Sequence, residues 1–94
     1  MRLTLRPRAE RDLDEAYAWY EERSPGLGEV FLRSAEACFA RIERHPELYP
    51  IADGRVRRGR LHRFPYSVYY LIREDWIDVL AVYHARRRPR AFDL

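Results

Sequence analysis

Two runs of β-branched and aromatic residues near the C-terminal end constrain this chain more than any other feature. Arg63-Phe64-Pro65-Tyr66-Ser67-Val68-Tyr69-Tyr70-Leu71-Ile72 is followed, after the acidic pair Glu74-Asp75, by Trp76-Ile77-Asp78-Val79-Leu80-Ala81-Val82-Tyr83-His84-Ala85-Arg86. Such runs, bounded by turn residues, predict the two strands of a hairpin. A two-residue turn at Glu74-Asp75 sets Tyr66, Val68, Tyr70 and Ile72 opposite Tyr83, Ala81, Val79 and Ile77, so that one face is wholly apolar. The other face then carries Ser67, Tyr69, Leu71, Asp78, Leu80, Val82, His84 and Arg86, which suits neither a solvated surface nor a core. Something should cover or use it. The assignment depends on the turn length, since a one-residue slip exchanges the faces.

The rest of the chain supplies partners for the apolar face. Arg2-Leu3-Thr4-Leu5-Arg6 alternates polar and apolar and predicts a short first strand. Pro7 suits the first turn of a helix, and Ala9, Leu13, Ala16, Tyr17 and Tyr20 recur at helical spacing over residues 8–23. Ser24-Pro25-Gly26 breaks that helix. A second stripe runs from Leu27 through Phe31, Ser34, Ala35, Cys38, Phe39 and Ile42 and ends before His45-Pro46. So short a link makes the two helices an antiparallel hairpin. Residues 46–56 read as an irregular connection, and 57–63 as a further strand turning at Phe64-Pro65. The predicted order is β-α-α-β-β-β, an α+β fold with an antiparallel sheet backed on one face by two helices. With 94 residues, the chain predicts a single domain over 1–94, ending in a short basic tail over 87–94.

Composition narrows the function classes. A 47% hydrophobic and 14% aromatic content excludes disorder, while 35% charged residues argue against a membrane protein. No run approaches the roughly 18 apolar residues of a membrane span, and no signal-peptide core opens the chain. A single cysteine, Cys38, fits a reducing compartment, and the expected location is the cytoplasm. His45, His62 and His84 lack ligand spacing and cysteine partners, so neither metal nor other cofactor is expected. No glycine-rich phosphate loop is present.

Charge is unevenly distributed. Residues 1–47 hold 8 Arg and 10 acids, whereas residues 48–94 hold 10 Arg and 5 acids. All 18 basic residues are Arg, a permanent cation built for bidentate contact with carboxylate or phosphate. The predicted register places Arg58, Arg60 and His62 on the same face as Ser67, Tyr69, His84 and Arg86. That patch suits phosphates or an acidic protein, and neighbouring Leu71, Leu80 and Val82 offer an apolar groove to a partner segment. Structural readings stand beside these. His84 also fits a strand-end histidine that orients backbone, and Arg86, Arg87, Arg88 and Arg90 also fit a solvated tail. Tyr66, Tyr70 and Tyr83 read as core, Cys38 as packing.

The predicted element order, the run R-F-P-Y-S-V-Y-Y at 63–70 and the closing V-L-A-V-Y-H-A-R-R at 79–87 together resemble the RelE/ParE superfamily of bacterial toxin-antitoxin toxins. The Ala9, Asp12, Leu13, Ala16 pattern and the His45-Pro46-Glu47 helix exit are similar as well. The resemblance implies a toxin held inactive by a cognate antitoxin from an adjacent gene, with Leu71, Leu80, Val82 and Arg86 as the antitoxin-binding face. It implies one of two targets: mRNA on the ribosome for RelE-like members, DNA gyrase for ParE-like members. The target or nucleic-acid face would comprise Arg58, Arg60, His62, Tyr69, Arg86 and Arg87. An endoribonuclease needs a base, an acid and a cation, and Arg60, His84 and Arg86 are the candidates. Arg86 matches a position used by RNA-cleaving relatives, but Ser67 stands where they carry Arg, which favours the ParE-like branch without intrinsic catalysis. A non-toxic partner-binding module is the third reading, and homo- or hetero-oligomerisation stays open.

Overall fold

The computed structural model describes residues 1–87 and Phe92. Strand β1 (Arg2–Leu5) leads into helices α1 (Pro7–Arg23) and α2 (Leu27–Arg44), followed by β2 (Ile51–Asp53), β3 (Val56–Arg60), β4 (Tyr66–Ile72) and β5 (Trp76–His84). The strands form one sheet in the order β1-β5-β4-β3-β2. The helix hairpin packs on one face, giving the expected α+β architecture. The sheet is mixed, however, because β1 runs parallel to β5, with Leu3 opposite Ile77 and Leu5 opposite Val79. Strand β2 adds an element within the stretch expected to be irregular, pairing Ile51 with Arg57 and Asp53 with Val56. The expected basic tail over 87–94 lies, Arg87 and Phe92 apart, outside the described residues.

Local chemistry explains the helix hairpin. Pro7 opens α1 where its missing N–H costs nothing. Gly26 precedes α2 with φ 90°, a conformation that glycine takes without strain. No side chain at Gly26 can cap α2, so the Glu21 carboxylate of α1 does so, accepting the N–H groups of Gly26 at 2.9 Å and Gly28 at 3.0 Å. A Cβ at Gly28 would sit 2.9 Å from the Tyr17 ring, so the helices approach this closely only with glycine there. Phe31, Ala35, Cys38 and Ile42 of α2 and Ala9 and Ala16 of α1 are buried against the sheet. Tyr70 is wholly buried in this core, and its hydroxyl donates to the Pro46 carbonyl at 2.6 Å. Burial pushes the phenol up to about 12, so it remains a donor at any physiological pH.

The β4–β5 pairing departs from the expected register at one residue. Ile72 faces Ile77 and Tyr70 faces Val79 as expected, but Tyr69 faces Ala81 and Val68 faces Val82. Leu80 is therefore an additional residue, a β-bulge in β5. Beyond it, side chains lie on the face opposite to the expected one. Val82 joins the helix-side core. Ala81 and Tyr83, expected in that core, instead join Val56, Tyr69, Leu71 and Leu80 in a second buried cluster on the outer face.

Two polar clamps fix this bend to the rest of the fold. Before the bulge, the Asp78 carboxylate, 3% exposed, accepts Arg6 Nη2 and Arg73 Nη2, each at 2.9 Å. It thereby ties the β1–α1 junction and the β4–β5 turn to β5. Beyond Val79, whose carbonyl accepts Arg6 N–H at 3.0 Å, β1 has ended. The Asp12 carboxylate of α1 takes its place at that edge, accepting Val82 N–H at 2.9 Å. Desolvation lifts the Asp12 carboxyl above 3.8, with the Val82 bond and then Arg8 and Arg87 opposing it.

Asp12→Ala leaves a buried amide without a partner and is expected to cost about 1–3 kcal/mol in urea unfolding, whereas Asp12→Asn keeps an acceptor and most of the stability. A raised folded-state pKa favours the protonated acid, so its contribution is full below 3.8 and is lost as pH rises through the raised value. The stability of the wild-type chain relative to Asp12→Asn should accordingly fall from acid to neutral pH. A difference that grows over that range would contradict this account of Asp12.

Candidate target-binding face

The outer face of the sheet is basic and aromatic. Arg58 lies opposite Tyr69, and Arg60 opposite Ser67, which itself faces Tyr83. The β3–β4 register is two residues from that expected, with Gly59 rather than Leu61 opposite Val68. A two-residue shift preserves the faces, so Arg58 and Arg60 keep company with Tyr69. Tyr69 and Tyr83 pack with ring centroids 5.5 Å apart, and the Phe92 ring lies 5.2 Å from Tyr69 and 6.1 Å from Tyr83. Arg87 and Arg8 place their guanidinium carbons 4.3 Å and 5.1 Å from the Tyr83 centroid, within cation–π range. A hollow of about 430 Å³ opens between Arg58, Tyr69, Arg87 and Phe92. The bulge is what puts Tyr83 here, and sequence reasoning missed it together with Arg8 and Phe92.

Other candidate residues lie elsewhere. His62 is not on this face. It follows β3 in an exposed loop where its carbonyl accepts Ser34 Oγ at 2.6 Å, and it lines a groove against α2. Phe64-Pro65 is not a two-residue turn, because Leu61 N–H closes the loop onto the Tyr66 carbonyl at 2.9 Å. Leu71 and Leu80 do share the outer face but are 0% and 3% exposed. Val82, 2% exposed, is on the helix side. These three expected antitoxin contacts therefore present no open apolar groove, and only Arg86 of that set is exposed.

The candidate catalytic trio is divided by the same bulge. Arg60 is on the outer face, while His84 turns toward the helices and stands edge-on to Tyr66, ring centroids 5.2 Å apart. Nδ1 of His84 accepts the Arg86 backbone N–H at 3.0 Å, a contact that orients the turn after β5. His84 borders a cavity of about 570 Å³ with Asp12, Glu15, Trp19, Tyr20 and Tyr66. Burial holds the phenols of Tyr20 and Tyr66 above their ordinary values, so neither acts as a base near neutrality. Among the described residues, no cluster of three His, Cys, Asp or Glu side chains could hold a metal ion. No helix among them is long and apolar enough to cross a membrane.

Comparison with known proteins decides the family. Residues 3–89 match the family described as the ParE toxin of the type II toxin-antitoxin system parDE. The chain belongs to the ParE toxin family. It is 29% identical over 93 residues to Toxin ParE2 of Mycobacterium tuberculosis, in strain CDC 1551 / Oshkosh and equally in strain ATCC 25618 / H37Rv. Each alignment covers 98% of this chain and 89% of the relative. A solved chain of the chromosomal ParDE system from P. aeruginosa shares the fold, with TM-score 0.66 and 21% identity over 89% of this chain and 95% of that one. This ParE-family chain is thus a toxin of a type II toxin-antitoxin pair, with a cognate antitoxin as its partner.

The aromatic stack supplies a test of that face. Phe92→Ala removes two ring contacts, expected to cost about 0.5–1.5 kcal/mol beyond lost area. It should lower the denaturation midpoint modestly while leaving the sheet intact by circular dichroism. An unchanged midpoint would mean that Phe92 does not cover Tyr69 and Tyr83 in solution.

Proposed function

We propose that this toxin stops growth by docking its basic outer face on DNA gyrase, without catalysis of its own. The observation that carries the reading is the division of Arg60 from His84 by the bulge. Cleaving RNA through its 2′-hydroxyl requires base, acid and cation to converge on one phosphate. Here the His84 imidazole and the Arg60 guanidinium belong to opposite faces of one sheet, and the cation that does border the His84 cavity, Arg87, is not one of the expected trio. Arg58 and Arg60 cannot substitute as bases, because a guanidinium does not deprotonate near neutrality. What Arg58, Arg60 and Arg87 do offer, beside a half-buried Phe92 ring that covers the buried Tyr69 and Tyr83, is a cationic surface. Such a surface suits an acidic protein patch or a nucleic-acid backbone, both of which a DNA-bound enzyme presents.

Purified toxin added to gyrase should cause cleaved DNA to accumulate. Arg58→Ala/Arg60→Ala should weaken that effect at least about ten-fold, or ~1.4 kcal/mol of binding, at unchanged stability, and His84→Ala should leave it in place. Normal supercoiling at high toxin excess, together with mRNA cleavage on ribosomes, would overturn the proposal in favour of the endoribonuclease reading.

A further inference from the structure

Core packing leaves a cavity of about 570 Å³ between α1 and the paired ends of β4 and β5. That volume lies within the roughly 300–1,000 Å³ of small-ligand sites. Four rings line it: Trp19 and Tyr20 of α1, Tyr66 of β4 and Tyr83 of β5. Trp19 meets Tyr20 edge to face at 5.1 Å, Tyr20 meets Tyr66 at 6.1 Å, and Tyr66 meets His84 at 5.2 Å, so an aromatic wall runs from helix to strand. Trp19 is held in place although 49% exposed. The Arg23 guanidinium carbon stands 3.6 Å from its ring centroid, and Arg23 Nη1 donates to its carbonyl at 3.4 Å.

The polar groups of the cavity have atoms to spare, and these are of both kinds. Asp12 accepts Val82 N–H through Oδ2, which leaves Oδ1 as an acceptor. Glu15 also lines the cavity, and among the described residues it enters no ion pair. His84 accepts the Arg86 backbone N–H through Nδ1, so its neutral ring carries the proton on Nε2 and offers a donor there. No buried side-chain nitrogen or oxygen among the described residues lacks a partner, so these spare atoms are open to an incoming group. Acceptors on α1 thus stand across the aromatic wall from a donor on β5.

A ligand that fits is flat, stacks on rings, and carries donors on one edge and acceptors on the next. An organic cation matches poorly, because Arg8 and Arg87 already offset the Asp12 charge. Among nucleobases, guanine sets two donors side by side, N1–H and N2–H, beside the acceptors O6 and N7. Adenine and cytosine would turn a ring-nitrogen lone pair toward the carboxylates, which repel it. We propose that this cavity binds a guanine base. Asp12 and Glu15 accept N1–H and N2–H, His84 Nε2–H donates to O6, and the ring stacks on the aromatic wall. Arg87, which lines the cavity, and Arg8, 5.1 Å from the Tyr83 centroid, meet the attached phosphate. Binding breaks no bond, and the inference does not rest on the gyrase reading. A free guanine nucleotide and a guanine in a single strand both carry this base.

The test titrates purified toxin with guanosine monophosphate, with adenosine monophosphate, and with oligothymidylate strands that carry or lack one guanine, followed by tryptophan emission and by calorimetry. The guanine nucleotide should quench emission saturably and bind at least about ten-fold tighter than the adenine nucleotide, the discrimination of one bidentate contact. Trp19→Phe should abolish the quenching while calorimetric binding remains. Glu15→Gln, at an exposed position, turns an acceptor into a donor and should weaken the guanine nucleotide at least about ten-fold while leaving the adenine nucleotide unchanged. His84→Ala should weaken it as well, and His84→Gln, which restores an N–H donor, should recover part of the loss. Tighter binding of the guanine-bearing strand than of the nucleotide assigns the site to single-stranded nucleic acid, and equal or weaker binding assigns it to the free nucleotide. Equal affinity for the two nucleotides, equal affinity for the two strands with no nucleotide binding, or wild-type guanine affinity in Glu15→Gln overturns the proposal. So does the absence of both quenching and heat with every probe.

Discussion

The single extra residue at Leu80 decides which side chains of the last strand face the helices and which face out. A strand alternates with period two, so one inserted residue inverts everything after it. Without the bulge, Tyr83 would enter the helix-side core and Val82 and His84 would face outward. With it, Tyr83 instead joins Tyr69 as the base on which Phe92, Arg87 and Arg8 assemble. His84 is withdrawn to the side of Tyr66 and Asp12. The placing of Tyr83, Arg87 and Arg8 together on the outer face follows from that inversion.

A bulge leaves backbone groups unpaired and bends its strand, so it lasts only where neighbours compensate. Asp12 holds the segment after the bulge from α1, accepting Val82 N–H at the edge left open where β1 ends, and Asp78 anchors the preceding segment through Arg6 and Arg73. Both carboxylates belong to the same logic. Each takes up a polar group near the point where β1 ends, and each ties β5 to an element distant in sequence. Asp12 lies in the helical pattern that carried the family resemblance, and the structure supplies a physical reason for an acid there.

Much of the architecture was legible before the structure. Hydrophobic periodicity identified both helices and the β4–β5 hairpin, because those elements bury one face and the burial writes the pattern. Strand β2 was not legible that way, since Ile51, Ala52 and Asp53 are all exposed and it is held by ladder bonds alone. The dipeptide Asp53-Gly54, with Gly54 at φ 56°, was the available signal for its turn. The parallel pairing of β1 leaves no local trace, being a contact between chain ends. The bulge was illegible for a different reason. Leu80, Ala81 and Val82 are all apolar, so alternation carries no information at the one place where it fails. For the site, the legible part was Arg58, Arg60 and Tyr69. His62, His84 and Val82 were assigned to the outer face by turn lengths and parity that the loop at 61–65 and the bulge altered.

The outer face of the sheet that results carries the exposed cations Arg58, Arg60 and Arg87. The central claim, that the outer face docks on gyrase and performs no RNA chemistry, is tested most directly in living cells. Labelled thymidine and labelled amino acid incorporation would be followed in the first minutes after tightly controlled induction. The account predicts that thymidine incorporation falls first while protein synthesis continues. An immediate collapse of amino-acid incorporation, with DNA synthesis declining only later, would contradict it.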